Sequence, residues 1–119
     1  MEIRNFVQLI GNLGADPVVR DTKNGKVARF SLATTEYYRE NGKMNSKTEW
    51  HTVVAWNSNA EMVERKCTKG SSVTLLGKLT SRSYEDQSKV KRYITEVVVR
   101  EIICHERAEK IASTEEKPF

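Results

Sequence analysis

The sequence predicts an all-β domain, a small barrel of five strands with one short helix between the third and fourth strands. Three observations support this prediction. Five segments are dense in branched and aromatic residues, and several of them alternate apolar with polar positions. Gly, Asn and Pro separate these segments, and only one stretch has apolar residues at helical spacing. With 119 residues, 38% of them hydrophobic, the chain can form one domain with its own core.

The first three predicted strands cover residues 3–13, about 26–35 and 48–57. Asn24-Gly25 precedes the second strand, and residues of this type tolerate the positive φ of a tight turn. Residues 36–47 are polar and contain a second Asn-Gly pair, so we expect them to form a long basic loop. The first half of the chain is therefore predicted to be a three-stranded meander.

The predicted helix follows the third strand. Ser58 and Glu61 have the spacing of a capping box, and three apolar residues follow at helical spacing: Ala60, Val63 and Cys67. We expect a helix of two to three turns, and then two long strands at residues 73–84 and 92–104. This order of elements is that of the five-stranded OB-fold Greek-key barrel, which binds oligonucleotides or oligosaccharides. We assign residues 1–106 to the barrel and residues 107–119 to a flexible, polar C-terminal tail.

Composition narrows the class of protein. No apolar run approaches the ~18 residues of a membrane-spanning helix, and the first residues resemble no secretory or transit segment, so we expect a cytoplasmic protein. Cys67 and Cys104 lack the spacing of a metal or redox motif. We interpret both as small buried side chains in a reducing compartment and expect neither metal nor cofactor. The net charge of +4 is compatible with a polyanionic partner.

The third predicted strand carries both tryptophans of the chain. Because side chains alternate along a strand, Trp50 and Trp56 share one face, whereas His51 lies on the other. At ~3.3 Å per residue the two indoles are ~20 Å apart, too far to touch each other and well placed to stack on separate bases. Alternation alone also allows both rings to fill the core, so their surroundings must decide.

Cations and tyrosines surround this strand in the sequence. Tyr37 and Tyr38 begin the preceding basic segment, and Tyr84 shares a strand face with two cations. The basic residues that we expect at the site are Arg39, Lys43, Lys47, Lys78, Arg82, Lys89, Lys91 and Arg92. Aromatic rings stack on any base while cations contact the phosphates, so this mixture favours single-stranded nucleic acid. No helix-turn-helix or zinc-finger pattern is present, which disfavours reading of a duplex major groove.

Four segments then carry a specific resemblance. They are Gly-Asn-Leu-Gly-Ala-Asp-Pro-Val-Val-Arg at 11–20, Phe-Ser-Leu-Ala-Thr-Thr at 30–35, Thr-Glu-Trp-His-Thr-Val-Val at 48–54 and Arg-Tyr-Ile-Thr-Glu-Val-Val-Val at 92–99. In these segments the chain resembles the bacterial single-stranded DNA-binding proteins, an OB-fold family of homotetramers. The resemblance implies sequence-tolerant binding and protection of single-stranded DNA during replication, recombination and repair. It also implies a cytoplasmic, nucleoid-associated protein.

The resemblance assigns roles to individual residues. The family stacks bases on four aromatic side chains, which match Tyr38, Trp50, Trp56 and Tyr84 here. Many members have Trp in place of the two tyrosines, so we expect weaker stacking there, and many have Phe in place of Trp56. The long apolar first strand offers an edge for pairing with a second chain. The resulting oligomer interface is predicted to include Ile3, Phe6, Val7 and His51.

The C-terminal end departs from the family pattern. Members usually end in a long linker and a strongly acidic tip that closes in Pro-Phe and recruits replication and repair enzymes. Here only about ten residues separate the last strand from the tip, and Lys117 stands where an apolar or acidic residue is expected. The predicted hook for partner proteins consists of Glu115, Glu116, Pro118 and Phe119.

Two other classes of function remain open at this point. An enzyme is disfavoured because His51 and His105 lack a nearby nucleophile pattern and no phosphate-binding Gly loop occurs. A binding module for structured RNA, for an oligosaccharide or for primosome assembly is possible on the same fold. Cations mixed with aromatics argue against sugar, whereas nothing in a stacking groove clearly rejects the 2′-hydroxyl of RNA.

Overall fold

The chain forms six strands and one helix within residues 4–105, the part that the computed structural model describes. The elements are β1 (Val7–Leu13), β2 (Val18–Thr22), β3 (Gly25–Glu40), β4 (Lys43–Trp56), α1 (Ser58–Lys66), β5 (Ser72–Glu85) and β6 (Lys91–Cys104). The first strand thus begins four residues later than predicted, after Phe6, and Ile3 lies outside the described residues. The proposed tail at 107–119 also lies outside them.

Five of these strands close into a barrel. Neighbouring strands follow the order β1, β5, β6, β4 and β3, and β3 returns to β1 through the pairs Asn12–Ala33 and Leu13–Leu32. Only the pairing of β4 with β6 is parallel among the described strands. β2 is a short addition that pairs with β3. The predicted five-stranded OB-fold barrel is confirmed, with the helix between its third and fourth strands, β4 and β5.

The inward side chains of the barrel form one apolar core. Its strand residues are Leu13, Ala28, Phe30, Leu32, Val53, Ala55, Val73, Leu75, Val97 and Val99. Helix α1 packs on this core with Ala60 and Val63, and Cys67 follows directly after the helix. The predicted apolar helix face is therefore confirmed. Burying a Val, Leu or Phe side chain stabilises the fold by roughly 1.5–3 kcal/mol, so this alternation decides which face of each strand points outward.

The start of α1 differs from the prediction. The predicted capping box is wrong, because Ser58 is already the first helical residue and Asn57 precedes it, with φ of 55° and ψ of −117°. The backbone carbonyl of Asn57 accepts the N–H of Glu61 at 2.9 Å, while the Asn57 side chain makes no capping bond. With this backbone conformation at Asn57, β4 turns directly into the helix.

Residues 36–47 form a two-stranded arm, and the predicted loop is wrong. β3 and β4 stay paired beyond the barrel as far as Glu40 and Lys43. Asn41 and Gly42 connect them with φ of 54° and 76°, the positive values that a two-residue hairpin turn of this kind requires. The segment is polar because both of its faces are exposed to water, so it lacks the apolar alternation by which a strand is recognised.

Candidate nucleic-acid interface

The outward side of β4 carries both tryptophans, as strand alternation predicts. Val53 and Ala55 are fully buried on the opposite side, which belongs to the core. Trp50 is 61% exposed and Trp56 is half-buried. Trp50 therefore does not fill the core, and its indole is available to stack on a ligand. We call this outward side of the barrel the tryptophan face.

Gly14 allows Trp50 to lie close to the barrel wall. A Cβ atom placed on Gly14 would lie 2.5 Å from Cζ3 and 2.8 Å from Cη2 of the Trp50 ring. Real Cβ contacts are not that short, so the indole packs directly against a backbone that has no side chain. This support limits the motion of the ring while leaving most of it exposed. A ring held in this way loses little conformational entropy when a base stacks on it.

A row of cross-strand pairs connects the tryptophan face to β5. Val54 pairs with Arg29 of β3 and with Val98 of β6, and Val98 pairs with Lys78 of β5. Lys78, Arg82 and Tyr84 follow one another at even spacing on β5 and share a face, as predicted. Tyr84 pairs with Arg92 across the β5–β6 ladder, so an aromatic ring and a cation lie next to each other.

Glu96 and two arginines form an ionic cluster on this face. The carboxylate of Glu96 accepts bonds from Nε and Nη2 of Arg82, both at 3.2 Å, and from Nη1 of Arg29. Burial raises the pKa of Glu96, but the hydrogen bonds from Arg82 and Arg29 and their charges outweigh it and hold the pKa below its usual range. Glu96 is therefore ionised at neutral pH.

A groove of about 410 Å³ lies beside this cluster. Three arginines and two valines line it: Val18, Arg20, Val27, Arg29 and Arg82. An adjoining groove of about 240 Å³ extends past Ala15, Asp16, Phe30, Ser31 and Thr52. Guanidinium groups above an apolar floor can bind phosphate while the floor contacts sugar or base. The tryptophan face is thus continuous with a cationic channel.

The β3–β4 arm presents different residues on its two faces. The pairs of Ala33 with Trp50 and of Tyr37 with Ser46 place Tyr37, which is 71% exposed, on the same face as Trp50. Arg39 follows Tyr37 on that face. The other face combines Tyr38 with Lys43 and Lys47, which are predicted to bind the ligand. Alternation therefore separates Tyr38 from the tryptophans, although Tyr38 and Trp50 are matched to the same site.

The far end of the β5–β6 hairpin holds the remaining predicted cations. Lys89 has a φ of 64° in the turn, and Arg92 donates from Nε to Asp86 at 2.9 Å. That bond is the main reason why the pKa of Asp86 is lowered. Lys91 lies 5.8 Å above the ring centre of Tyr93, on the face opposite to Tyr84 and Arg92. Both faces of this hairpin thus combine a tyrosine with a cation.

In a comparison with protein families, residues 4–104 of the chain match the Single-strand binding protein family. The chain belongs to this family. It is 43% identical over 100 residues to the single-stranded DNA-binding protein of Rhizobium meliloti (strain 1021). That alignment covers 81% of this chain and 58% of the relative, so the chain spans somewhat over half the length of that protein.

Solved structures show the same fold. A Plasmodium falciparum SSB complex with ssDNA matches with a TM-score of 0.78 and 30% identity, covering 89% of this chain and 98% of that one. The small single-stranded DNA-binding protein from Streptomyces coelicolor matches with a TM-score of 0.72 and 25% identity, covering 87% and 96%. The family expected from the sequence is confirmed.

A second exposed surface lies on β1, β5 and β6. Phe6, Leu76 and Ile103 line a cavity of about 350 Å³ together with Gln8, Thr74 and Glu101. Val7 is half-buried against the core, whereas Nε2 of His51 lies 2.9 Å from Oγ1 of Thr34 on the side opposite the tryptophans. The predicted interface residues thus occupy two places: Phe6 borders the apolar surface, and His51 is hydrogen-bonded within the β3–β4 ladder.

Other predicted features concern the cysteines, the tail and metals. Cys67 is buried, and this burial together with the adjacent Cys104 thiol raises the pKa of Cys67 to about 12, so it stays protonated at neutral pH.

Within residues 4–105 no cluster of three or more metal-ligating side chains occurs, and the described helix is too short to cross a bilayer. The proposed hook residues lie outside the described part of the chain: Glu115, Glu116, Pro118 and Phe119.

Four residues of this surface were not predicted from the sequence: Arg20, Arg29, Tyr37 and Glu96. For Tyr37, what was not predicted is that its ring lies on the tryptophan face. Arg29 and Glu96 are 67 positions apart and meet only because the barrel closes. One signal was present. Glu96 directly precedes the apolar run at 97–99, and an acid next to core residues of a strand indicates a partner of opposite charge.

Proposed function

We propose that this protein binds single-stranded DNA with little sequence preference and protects it during replication, recombination and repair. The observation that carries the proposal is the exposed indole of Trp50, seated on Gly14 beside a groove lined with arginine. The single-stranded DNA-binding protein of Rhizobium meliloti and the Plasmodium falciparum SSB in complex with ssDNA support the same role here. The role is binding without catalysis, in the cytoplasm at the nucleoid.

Binding combines two kinds of contact. Bases stack on Trp50, Trp56 and Tyr84 on the tryptophan face, and a strand that passes around the arm reaches Tyr38 on its other face. Each stacked base contributes roughly 1–3 kcal/mol. Phosphates are neutralised by the basic residues Arg39, Lys43, Lys47, Lys78, Arg82, Lys89, Lys91 and Arg92. Among the described residues Arg39, Lys43, Lys78, Lys89 and Lys91 form no salt bridge, and Lys91 lies over the ring of Tyr93. The other four are therefore the cations most available to phosphate. Stacking on ring faces and contacts to phosphates distinguish bases only slightly.

The experiment that tests the function is a fluorescence titration with equal lengths of oligo(dT), oligo(U) and duplex DNA. We expect oligo(dT) to quench tryptophan emission and to bind much more tightly than the duplex. Trp50→Ala should weaken binding about tenfold or more, whereas Trp50→Phe, which keeps an aromatic face, should lose less. Equal affinity for the duplex would contradict the proposal, and tighter binding of oligo(U) would make RNA the ligand.

We further propose that the protein is a homotetramer. β1 pairs with β3 at only two positions, so its first residues offer an open edge to the β1 of a second copy. The apolar surface that includes Phe6, Leu76 and Ile103 gives a second contact. Light scattering should give about four subunit masses, and Phe6→Glu should reduce that mass. A mass of one 13.6 kDa subunit for the unaltered protein would contradict this arrangement.

The C-terminal tip is proposed to recruit replication and repair proteins. Glu115, Glu116, Pro118 and Phe119 combine an apolar anchor with acids, the chemistry that fits a pocket with a basic rim. Deleting Pro118 and Phe119 should leave DNA affinity unchanged and abolish pull-down of such proteins from the native cell extract. Equal recovery with the full and shortened chains would contradict this role.

A further inference from the structure

Glu96 is an acid on a surface that is proposed to bind a polyanion. Its side chain is 5% exposed and lies on β6, directly across the ladder from Thr80 of β5. Arg29 from β3 and Arg82 from β5 reach it from two sides. A buried carboxylate is costly unless it is paired, and here three N–H groups satisfy it. The acid therefore belongs to the structure of the groove.

The two arginines keep capacity for another anion. A guanidinium has five N–H donors, and Glu96 takes two from Arg82 and one from Arg29. The side chains of Arg29 and Arg82 remain 41% and 50% exposed and line the same groove as Arg20. A phosphate in the groove can therefore bind N–H groups that Glu96 does not use, while Glu96 still holds both guanidiniums.

We propose that Glu96 is a positioning residue and internal counter-anion, which holds Arg29 and Arg82 in the groove and shares them with a phosphate of the bound strand. The inference rests on the proposed function, because the phosphate is that of single-stranded DNA. With three arginines and one glutamate the groove carries a charge of +2 in place of +3. Glu96 thereby limits the electrostatic affinity of the groove, so that a bound strand can be released and repositioned.

Salt dependence tests this proposal because it counts neutralised phosphates. For a single strand, the slope of log affinity against log salt is about −0.7 per phosphate neutralised. Glu96→Gln keeps the shape of the side chain and removes its charge, so we expect the slope to become steeper by about 0.7 and binding at low salt to tighten. Glu96→Asp keeps the charge and should retain the slope of the unaltered protein.

A matched control makes the same change, from glutamate to glutamine, at a position outside the groove. Glu64→Gln on α1 also breaks an ion pair, that with Nζ of Lys26 at 2.7 Å, but outside the groove. We expect the slope of Glu64→Gln to equal that of the unaltered protein. An unchanged slope in folded Glu96→Gln, or an equal steepening in Glu64→Gln, would overturn the proposal. Failure of the unaltered protein to bind oligo(dT) at all would instead overturn the proposed function.

A second pair of variants tests the proposal if Glu96→Gln alone does not fold. Arg29→Met alone removes one positive charge and should make the slope shallower by about 0.7. Arg29→Met combined with Glu96→Gln removes both charges of an ion pair and should restore the slope of the unaltered protein. If the double variant instead behaves like Arg29→Met alone, Glu96 has no influence on DNA binding and the proposal is wrong.

Discussion

Gly14 and Trp50 show how one absent side chain can shape a binding surface. We expect Gly14→Ala to push the indole away from the barrel wall, because the new Cβ would lie 2.5 Å from the ring. The displaced ring lies on the surface and not in the core, so the melting temperature should change little. DNA affinity should fall roughly tenfold, as expected when stacking worth about 1.4 kcal/mol is lost. An unchanged affinity in the titration would mean that the position of the ring is unimportant.

Glu96 also predicts a dependence of stability on pH. Its pKa in the folded protein is below the ordinary value of 4.5, so its contribution is present above pH 4.5 and is lost as pH falls through the folded pKa. At pH 7 we expect Glu96→Gln to be less stable by about 1.5–3 kcal/mol, the range for hydrogen bonds to charged groups. Urea unfolding of both proteins should show this difference shrinking below pH 4.5, and a constant difference would contradict the role of the charge.

At the scale of elements, the β3–β4 arm is the part that the sequence predicts least well. The Asn41-Gly42 turn is recognisable, but water surrounds both faces of the arm and no apolar period of two reveals the strands. The barrel strands are predictable because one face of each packs on the core. The faces of Tyr37 and Tyr38 depend on the register of the hairpin, which becomes clear only when the paired strands are seen.

We expect a substitution in the Asn41-Gly42 turn to destabilise the arm and not the barrel. Gly42 has φ of 76°, so Gly42→Val should strain the turn and fray the end of the arm. Hydrogen exchange should accelerate at residues 38–45, while the amides of the barrel keep their protection. Asn41→Gly is the matched control, because glycine adopts the left-handed conformation without strain. Equal acceleration throughout the barrel would show that the arm and the barrel unfold together.

For the whole molecule, closure of the barrel brings the functional groups together. Helix position and strand order follow from local sequence patterns, whereas the Arg29–Glu96–Arg82 cluster joins β3 to the β5–β6 hairpin, with Arg29 and Glu96 67 positions apart in the chain. The same closure separates two outward surfaces, the tryptophan face with its cationic groove and the apolar surface near Phe6. One surface can therefore bind a strand of DNA while the other contacts further copies of the protein.

The most direct test of the central claim observes Trp50 alone. Trp56→Phe keeps an aromatic ring at that position and leaves Trp50 as the single tryptophan of the chain. In a titration of this variant with oligo(dT), we predict strong quenching of the Trp50 emission and an affinity within a few-fold of that of the unaltered protein. Binding of oligo(dT), measured independently by a shift in mobility, with no change in Trp50 emission would contradict the account.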